Sequence, residues 1–109
     1  LDGKVVEIKN DVKAAKWNEQ AANQGYADAQ FQLSIMYLSG QGVEQNDSKV
    51  KEWMEKAATQ GHSDAQASLG LIYRGILGDP PNEQKAIEWL EKAAKQGHAQ
   101  AQEILRVKH

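Results

Sequence analysis

The chain has 109 residues, enough for one domain, with no cysteine and a formal charge of −2 from 13 Lys and Arg against 15 Asp and Glu. That balance excludes the basic surface that a nucleic-acid backbone or an anionic membrane demands, and the lack of cysteine excludes disulfides, thiolate nucleophiles and cysteine-zinc sites. No stretch approaches the roughly 18 apolar residues of a membrane span, so membrane insertion is not expected.

Residues 1–9 carry Val5, Val6 and Ile8 without regular spacing. They are expected to form an irregular or capping segment on the first helix, or to belong to a longer parent; Leu1 in place of Met points to a processed chain or a fragment. A helix is predicted over 10–24, starting at Asn10 and Asp11 and ending at Gly25. The next carries Ala29, Leu33 and Tyr37. A third runs from about Asn46 to Gln60. Asn46 offers a side-chain oxygen to an orphan backbone N–H, Asp47 suits the positive end of the dipole, and Val50, Trp53, Met54 and Ala57 fall on one face. Gly61 ends it in a left-handed conformation. The fourth helix, Ser63 to Arg74, buries Ala65, Leu69, Ile72 and Tyr73. Asp79-Pro80-Pro81-Asn82 enforces an extended link before the fifth, and a last helix covers 99–108.

These elements repeat. Trp17, Trp53 and Trp89 stand 36 residues apart, as do Gly25, Gly61 and Gly97, and Asn10, Asn46 and Asn82. Lys13, Glu19, Ala21, Ala22, Gln24, Ala29, Gln30 and Leu33 also recur in both later copies. Links of a few residues make successive helices antiparallel neighbours. The fold class is therefore all-α, an α/α superhelix (solenoid) of antiparallel helix pairs with a 36-residue period.

Ala65, Leu69, Gly70, Tyr73 and Gly78, followed by Lys85, Ala86, Trp89, Lys92, Ala93, Ala94, Gln96 and Gly97, resemble the Sel-one-like repeat (SLR), a relative of the tetratricopeptide repeat. The preceding copy matches through Ala29, Leu33, Tyr37, Gly40, Gly42, Val43, Asp47, Lys49, Trp53, Lys56, Ala57, Ala58, Gln60 and Gly61. In that register the chain is a single solenoid domain over 1–109. Full repeats occupy 27–62 and 63–98, and half repeats flank them at 10–24 and 99–108. Gly70 is expected to admit the next helix closely. The last copy has Arg106 there, with Lys108 and His109 nearby, and reads as a solvated cap.

The resemblance implies a scaffold that binds a protein or peptide, with no cofactor and no enzymatic activity. It also favours an exported protein, periplasmic or secreted. In related superhelices the first helix of each pair lines the concave face. On this chain that rule selects Asp28, Phe31, Ile35, Leu38 and Ser39, then Asp64, Ala67, Leu71, Arg74 and Gly75, then Gln100, Glu103 and Val107. Phe31, Ala67 and Glu103 share one place in successive copies yet differ completely, as ligand contacts do and scaffold positions do not. The apolar constancy of Ile35, Leu71 and Val107 fits inter-helix packing as well as ligand contact. One alternative is a structural or assembly fragment that self-associates through its ends. Another is a β-lactam hydrolase-like enzyme, since Ser48-Lys49-Val50-Lys51 matches Ser-x-x-Lys; its companion motifs are absent. His62 and His98 share the period but lack a third ligand, which favours capping over zinc. The tryptophans read as packing residues, and Glu52/Lys56, Glu88/Lys92 and Glu91/Lys95 as solvated outer-face pairs.

Overall fold

The computed structural model describes residues 2–108, with side chains placed for residues 10–107. Its helices are α1 (Asp2–Asn23), α2 (Ala27–Ser39), α3 (Asp47–Thr59), α4 (Ser63–Tyr73), α5 (Glu83–Lys95) and α6 (Ala99–Lys108). No strand occurs among the described residues. The all-α architecture with a 36-residue period is thus the one present, and α3, α4 and α6 begin and end within a residue or two of their predicted limits.

At the N-terminus the structure differs from the sequence reading. α1 starts at Asp2, so residues 2–9 continue the helix and Asn10 lies inside it. The reason is local: between Lys4 and Gln24 no Gly or Pro interrupts a run of helix-compatible residues. The packing expected of Val5, Val6 and Ile8, and the cap expected of Lys108 and His109, lie outside the described side chains.

The helices form two compact units, residues 1–53 and 54–109. In the first, α1 packs on α2, and Ala22, Ala29, Leu33 and Trp53 make a buried cluster flanked by Ala21 and Tyr37. In the second, α5 packs on both α4 and α6 around Ala67, Leu90, Ala93 and Ala101. Alanine at so many contact positions lets helix axes approach closely, so each large residue beside them touches much of the core.

The recurring polar residues are the ones that close helix ends. At Gly25, Gly61 and Gly97 the φ angles are 97°, 97° and 88°. The following residue donates back to the same carbonyl in each copy: Tyr26 to Ala21, His62 to Ala57 and His98 to Ala93, at 3.1–3.2 Å. This six-to-one bond is the Schellman signature. His62 and His98 then cap the next helix, Nδ1 accepting from the N–H of Ala65 and Ala101 at 3.1 Å. Asn46 and Asn82 cap α3 and α5 through Lys49 N–H and Lys85 N–H. Gln30 and Gln66, both 5% exposed, donate Nε2 to the carbonyls of Ala22 and Ala58 at 3.2 Å, and Gln102 repeats the bond to Ala94 at 3.0 Å. A carbonyl freed at each helix end is satisfied from the helix that follows. Gln66 also accepts from Gln96 at 2.8 Å, and Gln96 Nε2 reaches the Gly61 carbonyl at 2.9 Å.

Gly70 carries the close approach anticipated for it. A Cβ there would stand 2.8 Å from Leu90 Cγ and 3.1 Å from the Ala86 carbonyl oxygen. Helix propensity alone would make Gly70→Ala stabilising by about 1 kcal/mol. Overpacking against the α5 backbone outweighs it, and a net loss of about 1–3 kcal/mol is expected in urea denaturation. A gain in stability would show that α4 and α5 can separate without penalty.

Candidate partner-binding surface

α2 is oriented by what it buries. Ala29 and Leu33 face the cluster with Ala22 and Trp53, and Gln30 is tied to the Ala22 carbonyl. Lys49 adds a cation over the Tyr37 ring, 5.9 Å from its centroid. With those positions fixed, Asp28, Phe31, Ile35 and Leu38 follow at i, i+3, i+7 and i+10 on another side of the helix. Asp28 is exposed in the first turn, Phe31 and Ile35 are half-buried, and Leu38 is 43% exposed. Three apolar side chains in a row thus keep surface that the core of this unit does not use.

In the second unit the selected residues separate. Ala67 is only 5% exposed and lies in the core with Leu90, Ala93 and Ala101, which corrects its expected place on a binding face. Its methyl is short enough for α5 and α6 to close over it. Asp64 is exposed but engaged: Oδ1 accepts from His98 Nε2 at 2.8 Å. Because His98 Nδ1 already accepts a backbone N–H, its proton sits on Nε2 and points at Asp64. Leu71 is half-buried.

Arg74, selected for the concave face, has its side chain 20% exposed and paired with Glu83 in the first turn of α5. Nε donates to Glu83 Oε1 at 3.2 Å, while Nη2, 3.0 Å from the same oxygen, is buried and off-line, an ion pair without a hydrogen bond. Arg74 and Glu103 nevertheless meet, lining with Ile104 and Val107 an open depression of about 530 Å³. Val107 is 75% exposed, and Glu103 is held by Arg106 through bonds of 2.7 and 2.8 Å. Ile104 is a wall that the period could have flagged, since its equivalents Gln32 and Ser68 are polar.

The tryptophans are not equivalent. Trp53 is 8% exposed and Trp89 half-buried, with Lys92 4.5 Å over its ring rather than simply solvated. Trp17 is 73% exposed, so the packing role read from the period does not hold there. Ser48 is exposed in the first turn of α3, and Lys51 is half-buried one turn on. Among the described residues no group of three His, Asp or Glu is disposed to hold a metal, and no helix is long and apolar enough to cross a membrane.

The pattern described as Sel1 repeat matches residues 1–26, 27–62 and 63–98. Two solved structures are similar. One is a protective antigen present in uropathogenic Escherichia coli strains that displays an SLR fold, 35% identical with a TM-score of 0.81 over 85% of this chain. The other is a Sel1 repeat protein from Oxalobacter formigenes, 34% identical with a TM-score of 0.78 over 83% of this chain. The chain spans 20% and 37% of their lengths. No curated protein matches it. Repeats of this type typically serve as protein-interaction scaffolds.

Proposed function

Since the chain belongs to the Sel1 repeat family, we propose that it is a non-catalytic module that binds a protein or peptide on the face formed by the first helix of each repeat. The observation that carries this reading is the apolar row Phe31, Ile35 and Leu38 on a helix whose other side is already filled by Ala29 and Leu33. Partly exposed apolar side chains in a row bind when a partner removes their remaining surface from water, and an aromatic anchor usually dominates. The depression at Arg74, Glu103, Ile104 and Val107 offers a second contact within the other unit. An exposed Ser48 with no companion motif supports a binding rather than a hydrolytic role. The small share of its structural relatives that the chain spans favours a second reading, a segment of a longer array whose partners are set elsewhere.

Comparative capture with tagged chain tests the first reading. Phe31→Ala and Leu38→Ala should each weaken a specifically captured partner about tenfold or more, with far-UV circular dichroism unchanged. Glu88→Ala, at an exposed outer position, should change affinity less than about twofold. If Glu88→Ala abolishes capture and Phe31→Ala does not, the binding face is the other one.

A further inference from the structure

Asn10, Asn46 and Asn82 share one place in the repeat, yet the residues after them differ. Asn46 is followed by Asp47 and Ser48, Asn10 by Asp11 and Val12, and Asn82 by Glu83 and Gln84. Asn46-Asp47-Ser48 is thus an Asn-x-Ser triplet without proline, the acceptor pattern for N-linked sugar. Asn10 and Asn82 lack it, and so do Asn18 and Asn23. The repeat itself calls only for the asparagine; Val12 and Gln84 show that it does not call for the serine. Glu44 adds an acidic residue two places before Asn46, a feature that single-subunit bacterial transferases also read.

The fold leaves this triplet within reach. Residues 44–49 are all exposed, and the chain is non-helical from Glu44 through Asn46. Only the first turn of α3 must unwind for Asp47 and Ser48 to enter a transferase in extended form. Asn46 Oδ1 accepts the cap bond from Lys49 N–H at 3.1 Å, and Nδ2, the atom that carries an N-linked sugar, takes no part in that bond. One side-chain amide can therefore serve both tasks, its oxygen as acceptor and its nitrogen as the point of attachment.

We propose that Asn46 is the acceptor for an N-linked glycan and that Oδ1 still caps α3 after the transfer. The donor class is an oligosaccharide carried on a lipid pyrophosphate. The bond from Nδ2 to the sugar's anomeric carbon forms as the bond from that carbon to the phosphate oxygen breaks. The lipid pyrophosphate leaves with the bonding pair, and one Nδ2 proton passes to a base. The other proton stays on Nδ2, and Oδ1 keeps its lone pairs for Lys49 N–H. The site does not rest on the α2 face assigned above, so either can fail alone.

The test exports the full chain behind a cleavable leader in bacterial cells that carry a single-subunit oligosaccharyltransferase and its lipid-linked donor. Intact mass should rise by one glycan, and peptide mapping should place it at Asn46. Asn46→Gln and Ser48→Ala should each abolish the gain, and Ser48→Thr should keep it. Ser48 is exposed, so Ser48→Ala leaves the fold intact. The Lys49 amide should exchange with solvent at the same rate in the glycosylated and the bare chain. No mass gain, in cells where a control acceptor is modified, overturns the proposal. A gain that survives Ser48→Ala, or that maps to another residue, overturns it as well. Faster exchange at Lys49 in the glycosylated chain overturns the shared use of the amide.

Discussion

Trp53→Ala is expected to destabilise the chain by about 3–5 kcal/mol, the usual range for a buried aromatic. The residue is 8% exposed, and three of its neighbours, Ala21, Ala22 and Ala29, are alanines. Alanines have no side chain to swing into the space an indole leaves, so the cavity persists and the lining loses its dispersion contacts. Trp17→Ala, the same substitution at a residue 73% exposed, should cost within about 0.5 kcal/mol. Denaturant midpoints of the pair measure the difference directly. Equal losses would show that burial does not govern the tryptophan positions.

Gly42→Ala should have the next largest effect, more than about 2 kcal/mol, for two reasons that add. Its φ of 75° is a left-handed conformation that costs an alanine about 1–2 kcal/mol. Its Cβ would also fall 2.1 Å from the Asp11 carbonyl oxygen and 2.6 Å from the carbonyl carbon, so the 40–46 link would have to lift off α1. Backbone lies on both sides of this contact, and neither can rotate away as a side chain would. Gly78 holds the same place one repeat later with φ 97° and nothing within 4 Å of its Cβ. Gly78→Ala should therefore carry the conformational penalty alone. Equal midpoints for the two variants would mean that the contact with Asp11 contributes nothing.

The helices were legible because their ends are written in side chains that act locally. Asn46 and Asn82 need only the N–H three residues on, and Gly25, Gly61 and Gly97 need only their own backbone. The candidate face was less legible, because exposure depends on what covers a residue and the period says nothing of that. Trp17 and Trp53 are identical in register, yet Trp53 is buried with Ala29 and Leu33 of α2 while Trp17 is 73% exposed. Ala67 was placed on the binding face by analogy with Phe31 and Glu103. Its small size is the reason its neighbours could close over it. The pairing of Arg74 with Glu83 was not legible, because Glu83, nine residues away, becomes its neighbour only when the chain turns back through Pro80 and Pro81. The repeated Gln66 was visible, but its bond to a carbonyl eight residues earlier cannot be read from spacing on one helix.

The glutamine junction couples two distant turns. The Gln66 side chain donates to the Ala58 carbonyl and accepts from Gln96, whose own Nε2 also reaches Gly61, 35 residues before it in the chain. Opening either turn breaks bonds that the other shares, and leaving the buried Gln66 amide unmet costs about 1–3 kcal/mol, whereas the exposed Gln96 and Gly61 groups regain water. The amides around residues 60–62 and 96–98 should therefore exchange with solvent as one cooperative element. Fraying at one turn is resisted by the order of the other, so the unit that opens locally is larger than a single helical hairpin.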